Sequence, residues 1–424
     1  MTTARLIACH ECDLLQREAA LPAGGVARCR RCGAELYRSR PQSLDRALAF
    51  TVAAMVMFGV ANAYPVVGLS VNGDLVQSTL FGAVRILYLD GMWPLAGLVF
   101  VTTLMMPALR MVAMAYLLLP LRLQRLPRWP DQAFRVLDIA APWGMTEVLI
   151  LGMLVALVKL SHIATVVPGV ALWAFGGVML LLAAAGSAFD ARDLWARIEA
   201  ASHVGAQTSV TTASATTAAR AGLLVCHGCG MLSRPAPHAH EGSCPRCGAH
   251  LHFRKPDSIA RTWAFLVAAM ILYIPANMLP VMDTSSLFGA QEDTILSGVV
   301  YLWTSDAKLL AAIVFIASIA VPMLKIIALL FLVISAQFHS AWLRERKTRI
   351  YRLVELVGRW SMLDIYVITL LVALVQFSAL ATIKAGPAAV AFGAVVVLTM
   401  FAAMSFDPRL IWDATEKATE KDHG

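Results

Sequence analysis

The stretch "SLDRALAFTVAAMVMFGVANAYPV" at 43–66 recurs as "SIARTWAFLVAAMILYIPANMLPV" at 258–281, and this pair decides how the chain is organised. Each is apolar over about 20 residues, the length needed to cross a bilayer's hydrocarbon core. Each ends on an asparagine with proline three residues on (Asn62/Pro65, Asn277/Pro280). The copying continues in register: "MPALRMVA" (106–113) answers to "VPMLKIIA" (321–328), "PWGMTEV" (142–148) to "RWSMLDI" (359–365), and "FDARDLW" (189–195) to "FDPRLIW" (406–412). So many matches at one spacing identify an internal duplication.

Apolar runs predict eight spans, at 44–66, 94–119, 144–165, 169–189, 259–281, 308–336, 361–383 and 387–406. Composition agrees: only 15% of the 424 residues are charged and 59% are apolar, with a mean hydropathy of +0.69. That excludes an ordinary soluble protein. The net charge of +8 suits basic loops on the cytoplasmic side of membrane spans, so it does not imply nucleic acid. With four spans per copy, the two units enter the membrane in the same orientation, as parallel repeats. The polar, arginine-rich start shows no signal-peptide pattern, so the first span is expected to stay as an anchor. The segments 73–91 and 294–306 are apolar but too short to span; each is expected to lie on the outer face as helix or strand.

The connections 119–135 and 339–359 are rich in Arg and Lys, whereas 68–77 and 282–294 contain none. The positive-inside rule then places the N-terminus, the middle of the chain and the C-terminus in the cytoplasm. All eight cysteines lie in those cytoplasmic parts, as four C-x-x-C pairs: Cys9/Cys12 with Cys29/Cys32, and Cys226/Cys229 with Cys244/Cys247. Two knuckles facing each other supply the four thiolates of a tetrahedral structural zinc. Two zinc ions are expected, one per ribbon. A reducing cytoplasm disfavours disulfides, while iron in a rubredoxin-like site uses the same knuckles. The histidines around them (His10, His227, His238, His240, His250, His252) read as exposed loop residues. The chain divides into a first ribbon (1–42), a first membrane unit (43–199), an Ala/Thr/Ser-rich linker (200–222), a second ribbon (223–256), a second membrane unit (257–413) and a tail (414–424). The fold class is an α-helical integral membrane protein of two parallel four-helix transmembrane repeats, each preceded by a small β-rich zinc ribbon with four cysteines.

Ionisable groups inside spans are costly and point to function. The second span of each unit carries proline and then a base (Pro107/Arg110, Pro322/Lys325), and the third opens with an acid (Glu147, Asp364). Each base stands about 12–15 Å from the cytoplasmic end at 1.5 Å per residue, within partial reach of its acid. A folding salt bridge with snorkelling and a coupling network both fit. Asn62 and Asn277 mark either kinked span ends or a cavity lining. Lys159, His162 and Lys384 fall near the outer boundary, where snorkelling accounts for them. The sequence has no Walker A loop, G-x-S-x-G or H-E-x-x-H, so no enzyme is expected.

Together, the paired ribbons, "ANAYPV" or "ANMLPV", "PALR" or "PMLK", and a tryptophan four residues before an acid (Trp143/Glu147, Trp360/Asp364) resemble the paraquat-inducible protein A family of bacterial inner-membrane proteins. The resemblance covers nearly the whole chain. It implies a periplasmic partner built of MCE domains, and a role in moving phospholipid between inner and outer membranes. Arg110 and Glu147 depart from the lysine and aspartate of the pattern, so the second copy, with Lys325 and Asp364, is the better candidate for a working site. A redox protein whose iron is held by four cysteines and a non-transporting anchor for the partner are the competing readings.

Overall fold

The computed structural model describes residues 6–40, 42–71, 74–160, 165–202, 217–235, 241–286, 289–304, 308–338, 343–358, 365–367, 369, 372, 376–377 and 381–413. The first ribbon is two antiparallel pairs, β1 (Leu6–Ala8) with β2 (Leu15–Arg17) and β3 (Val26–Arg28) with β4 (Glu35–Arg38). The first membrane unit runs α1 (Ser43–Ala63), β5 (Val67–Val71), β6 (Asp74–Ser78), α2 (Leu80–Leu89), α3 (Trp93–Phe100), a π-helical turn at Val101–Met105, α4 (Met106–Arg122), α5 (Pro130–Ala140), α6 (Thr146–Leu160), β7 (Thr165–Pro168), α7 (Val170–Ala188) and α8 (Ala191–Ser202). The second ribbon contains β8 (Leu224–Val225), β9 (Leu232–Ser233), β10 (Glu241–Ser243) and β11 (His250–His252). The second unit repeats the first: α9 (Ser258–Met278), β12 (Met282–Ser286), β13 (Gly289–Asp293), α10 (Ile295–Thr304), α11 (Lys308–Phe315), a π-helical turn at Ile316–Ala320, α12 (Val321–Gln337), α13 (Arg344–Gly358), β14 (Gln376–Phe377), β15 (Ala381–Ala385) and α14 (Pro387–Ser405).

Among the described residues six helices are long and apolar enough to cross a membrane: Ser43–Ala63, Trp93–Arg122, Val170–Ala188, Ser258–Met278, Ala311–Gln337 and Pro387–Ser405. Their outward faces carry large apolar side chains such as Val56, Trp173, Ile271 and Leu324, as lipid-facing helices require. Local chemistry sets their ends. Tyr64 and Leu279 each precede a proline, which disfavours the helical conformation, and both are extended (ψ 158°). Pro107 and Pro322 lack an amide proton and crowd the preceding turn, and each is separated by one residue from the end of a π-helical turn. Close approach of backbones explains two glycines, because a Cβ at Gly169 or Gly386 would overlap the carbonyl oxygen of Pro65 or Pro280.

The third span of each repeat differs from expectation. Within the expected 144–165, α6 is described over Thr146–Leu160, about 22 Å at the standard rise. The β-branched residues after it form β7, which pairs with β5 from Val67↔Pro168 to Ser70↔Thr165. In the second copy β15 pairs with β12, from Met282↔Ala385 to Ser286↔Ala381, so this chain is strand where the expected span 361–383 ends. Much of that expected span lies outside the described residues. The short apolar segment 73–91 divides into a strand and a helix (β6, α2), and 294–306 contains the helix α10, with β13 ending just before it. The basic connections contain helices α5 and α13, whose inward positions, such as Thr348, Tyr351 and Val354, recur every three or four residues.

The two units share a core. Leu95 and Val99 of the first cluster with Tyr366, Phe392 and Val396 of the second. Trp143 packs on Phe401 with ring centroids 5.4 Å apart. The Tyr366 hydroxyl donates to Thr102 Oγ1 at 3.0 Å, joining the first π-helical turn to the other unit. The ribbons are docked crosswise. The first packs its apolar side with α9, α12, α13, α14 and Trp412 of the second unit. The second packs with Leu44, Phe134, Leu137, Trp195 and Ile198 of the first unit. Polar contacts also tie each ribbon to its own unit: Arg192 meets Glu18 at 3.3 Å, and Arg409 bonds His227 Nε2 at 3.0 Å.

Candidate functional site

The two metal centres are made by four reverse turns of the same form. In three of them a glycine follows the second cysteine with positive φ (Gly33, Gly230, Gly248), so that its amide closes on the carbonyl of the first cysteine, as Gly248 does on Cys244 at 2.8 Å. The fourth turn has Asp13 at φ 62°, its amide on the Cys9 carbonyl at 2.9 Å. Asp tolerates this region better than most residues, and here its carboxylate is used: it accepts Ala219 N–H at 3.0 Å and Arg254 Nη1 at 3.3 Å, linking the ribbons. Burial pushes the Asp13 carboxyl up, and the Arg254 charge opposes that.

The turns bring Cys9, Cys12, Cys29 and Cys32 together, and likewise Cys226, Cys229, Cys244 and Cys247, with each set of sulfurs within 4.8 Å of one another. Cys9–Cys32 and Cys12–Cys29 are 3.5 Å apart; Cys226–Cys247 is 3.4 Å and Cys229–Cys244 is 3.5 Å. Four sulfurs around a tetrahedral zinc stand about 3.8 Å apart, so the donor set fits that ion. Hydrogen bonds from Cys12, Cys32 and Cys9 hold the Cys29 thiol well below its ordinary range, and the Cys244 thiol is held down in the same way by Cys226, Cys229 and Cys247. The same mutual hydrogen bonds, with burial, push Cys12 and Cys229 up, so in each cluster one thiol gives up its proton at the expense of its neighbours. Both clusters can hold a metal ion. His10, His227 and His250 are exposed and contribute no ligand atom to either cluster; His238 and His240 lie outside the described residues.

Lys325 is a buried basic residue within one of the six membrane-capable helices, Ala311–Gln337. It is 3% exposed, in the second turn of α12, and among the described residues its Nζ has no hydrogen-bond partner. Gly358, the last residue of α13, comes so near that a Cβ there would lie 3.2 Å from Nζ. Pro322, one turn earlier, is also buried. Asp364 and Trp360 lie outside the described residues, as do His162 and the side chains of Lys159 and Lys384.

The first unit is built differently at the matching place. Arg110 is half-buried with Nη2 against α7, 2.8 Å from where a Cβ on Gly186 would stand. Glu147 is exposed and in no ion pair among the described residues, so the structure does not bring these two together. Asn62 and Asn277 each donate from Nδ2 to the carbonyl one turn back, Phe58 at 2.7 Å and Tyr273 at 2.8 Å. These bonds reinforce the last turn of α1 and α9, the kinked-end role. The Tyr273 hydroxyl in turn caps the Ile319 carbonyl of the π-helical turn at 3.3 Å.

Sequence reasoning passed over the ionic contacts of α13 and of the residues that follow α14. Arg352 of α13 makes a bidentate pair with Glu11 (Nε–Oε1 2.7 Å, Nη2–Oε2 2.5 Å) and donates to the Cys32 carbonyl at 3.0 Å. Burial would raise the Glu11 carboxyl, but bonds from His10 and Arg352 hold it below the usual range. Asp407, wholly buried at the end of α14, is held at about 2: burial opposes its ionisation, and the bonds and charge of Arg409 override that. The only sequence signal for these was position, Glu11 inside a knuckle and Asp407 in the repeated "FD-x-R" motif.

A family model described as Paraquat-inducible protein A matches residues 44–199 and 259–416. The chain is 35% identical over 420 residues to the intermembrane transport protein PqiA of Escherichia coli (strain K12), covering 99% of this chain and 98% of that protein. It is 31% identical over 413 residues to the lipophilic envelope-spanning tunnel protein A of the same organism, covering 97% and 92%. A probable intermembrane transport protein of Haemophilus influenzae is 28% identical over 416 residues, with 96% of both chains covered. No solved structure matches.

Proposed function

The chain belongs to the paraquat-inducible protein A family, and on that premise we propose that it is the inner-membrane component of a lipid transport system, passing phospholipid to or from a periplasmic MCE-domain partner. An intermembrane transport role is what its relatives are named for. It is a multi-pass membrane protein. The second unit handles the lipid, and Lys325, with Asp364 as its acidic neighbour, receives the anionic headgroup.

The observation that carries this reading is the buried Nζ of Lys325 without a partner among the described residues. A bare ammonium within a span is expensive, by at least a few kcal/mol on insertion scales. A phosphodiester entering beside α12 supplies the missing acceptor and countercharge. Arg110, laid against Gly186, does not offer the same opening. Transport of this kind needs no bond-making step and no catalytic residue. In this reading each ribbon holds zinc, which fixes a fold too small for its own core. The ribbons and both termini face the cytoplasm, because α5 and α13, the helices they dock on, lie in the Arg/Lys-rich connections.

The test sets membrane abundance beside lipid transfer in Lys325→Ala and in Lys325→Ala/Asp364→Ala. The proposal expects normal abundance of Lys325→Ala, retained partner binding and lost transfer. Low abundance of the single variant with recovery in the double variant would mean a structural ion pair. Full transfer by well-folded Lys325→Ala would end the proposal.

A further inference from the structure

The crosswise docking is made by equivalent positions of the two repeats. Arg135 of α5 and Arg352 of α13 occupy the same place in "FRVLD" (134–138) and "YRLVE" (351–355). Each reaches the second knuckle of the ribbon from the other repeat. Arg135 Nη2 lies 3.0 Å from where a Cβ on Gly248 would stand, and Arg352 Nη2 donates to the Cys32 carbonyl at 3.0 Å. The first knuckles differ. Gly228 of the second ribbon sits against Phe134 and Asp138, whereas the first ribbon has Glu11 at that place, locked on Arg352. Both crossings carry an ion pair, but on different helices: the first ribbon's is the Glu11–Arg352 fork on α13, whereas the second ribbon's joins Arg246 Nε and Nη2 to Glu199 Oε1 of α8 at 2.7 Å, and not to α5.

We propose that the first ribbon is a metal-dependent clamp on α13, with Arg352 as the positioning residue, and that this clamp holds Gly358 as the floor beneath Lys325. Two of the anchors of α13 run through that ribbon. One is the Glu11–Arg352 fork with the Cys32 carbonyl. The other is Trp412, which donates to Thr348 at 3.2 Å and carries Arg31 of the ribbon 4.5 Å above its ring. Glu11 and Cys32 have fixed places only while the knuckles are closed, and in so small a unit metal binding is folding. Arg352 and Gly358 are six residues apart, about 9 Å along the helix axis, so a shift at the clamp reaches the floor without passing a flexible joint. Because Gly358 already meets the ammonium without a Cβ, any displacement of α13 changes what surrounds Nζ. The second ribbon serves α5 in the same crossed way, with packing and no fork.

Amide hydrogen exchange on the full-length protein in lipid nanodiscs tests this, with metal content measured on the same samples. Removing the first ribbon's metal by Cys9→Ser/Cys12→Ser is expected to speed exchange in 344–358 by about tenfold or more, while 130–140 stays within about twofold. Cys226→Ser/Cys229→Ser is expected to do the reverse. Glu11→Gln, which leaves all eight cysteines in place, should speed exchange in 344–358 with metal content unchanged and α14 unaffected. Arg352→Lys, which keeps the charge without the fork, should fall between wild type and Glu11→Gln. A same-repeat pattern, or unchanged 344–358 in metal-depleted first-ribbon protein, overturns the proposal. If the cysteine variants do not accumulate, Glu11→Gln decides alone: unaltered exchange in 344–358 refutes it. Exchange reads the helix and not the lipid, so failure here leaves the transport proposal standing, and the converse holds.

Discussion

Replacing Asp407 with asparagine should destabilise the protein far more than the same change at Asp190, although the two hold equivalent places in the repeats. Asp407 is fully buried and takes four bonds: Arg409 N–H and Nε on Oδ1, both at 3.0 Å, Arg409 Nη2 on Oδ2 at 2.9 Å, and Lys255 N–H on Oδ2 at 3.0 Å. Arg409 is itself only 2% exposed, so Asp407→Asn leaves a buried guanidinium without its countercharge. Breaking such a pair costs about 3–5 kcal/mol. The carboxyl's displacement from its ordinary 3.8 to about 2 gives a smaller figure of about 2 kcal/mol. A loss of about 3 kcal/mol fits both. Asp190 is half-buried and among the described residues receives the Arg192 amide alone, at 2.9 Å, as the N-cap of α8, while Arg192 turns to Glu18 and lies 4.4 Å over the Tyr37 ring. Loss of a cap is worth about 1 kcal/mol. Thermal unfolding in a fixed detergent should show a lowering of Tm about three times larger for Asp407→Asn than for Asp190→Asn. Its pH dependence follows from the depressed carboxyl. The stabilisation is fully present above the unfolded value near 3.8 and lost as pH falls through about 2. The gap between wild type and Asp407→Asn should therefore be constant from about pH 5 to about pH 8 and narrow below about pH 4. Equal shifts for the two variants would refute the reasoning.

Three other outcomes follow. Elemental analysis should find two zinc ions per chain and no stoichiometric iron, and Cys12→Ser should lose one of the two; iron at stoichiometry would favour a redox role. Tyr366→Phe should lower stability by about 1 kcal/mol through loss of its bond to Thr102, and adding Thr102→Val should cost little more, since Thr102 Oγ1 has by then lost the donor it accepts from and otherwise bonds, among the described residues, only within its own helix; additive losses in thermal unfolding would contradict that pairing. A cysteine introduced at the exposed Arg220 of a functional variant should react with thiol reagents only after the cytoplasmic side is exposed, and labelling from the periplasm would reverse the topology.

Local signals were legible and non-local ones were not. The cysteine clusters could be read because each knuckle is complete within four residues. The long helices could be read because an apolar run of 19 residues or more needs no partner to be recognised. The ends of the third spans were placed too far on, since Thr165 of "TVVP" and "ATI" (381–383) of "ATIKA" are strand, paired with β5 and β12. Arg352 was hidden among the arginines and lysines of 339–359, where charge alone explained it, and Glu11 passed as knuckle filler. Their pairing depends on a crossing between repeats, 341 residues apart in sequence, that no spacing encodes. Lys325 was legible as a costly charge; that its Nζ meets Gly358 and no acceptor among the described residues took the packing of α13 to see.

The central claim is that the second unit, through Lys325, takes the phospholipid. It is tested most directly by extracting the lipid retained by purified wild-type, Lys325→Ala and Arg110→Ala proteins and quantifying phospholipid per chain by mass spectrometry. Phospholipid that persists in Arg110→Ala and falls severalfold in Lys325→Ala is the predicted result. Equal retention by all three, or loss only with Arg110→Ala, would contradict it.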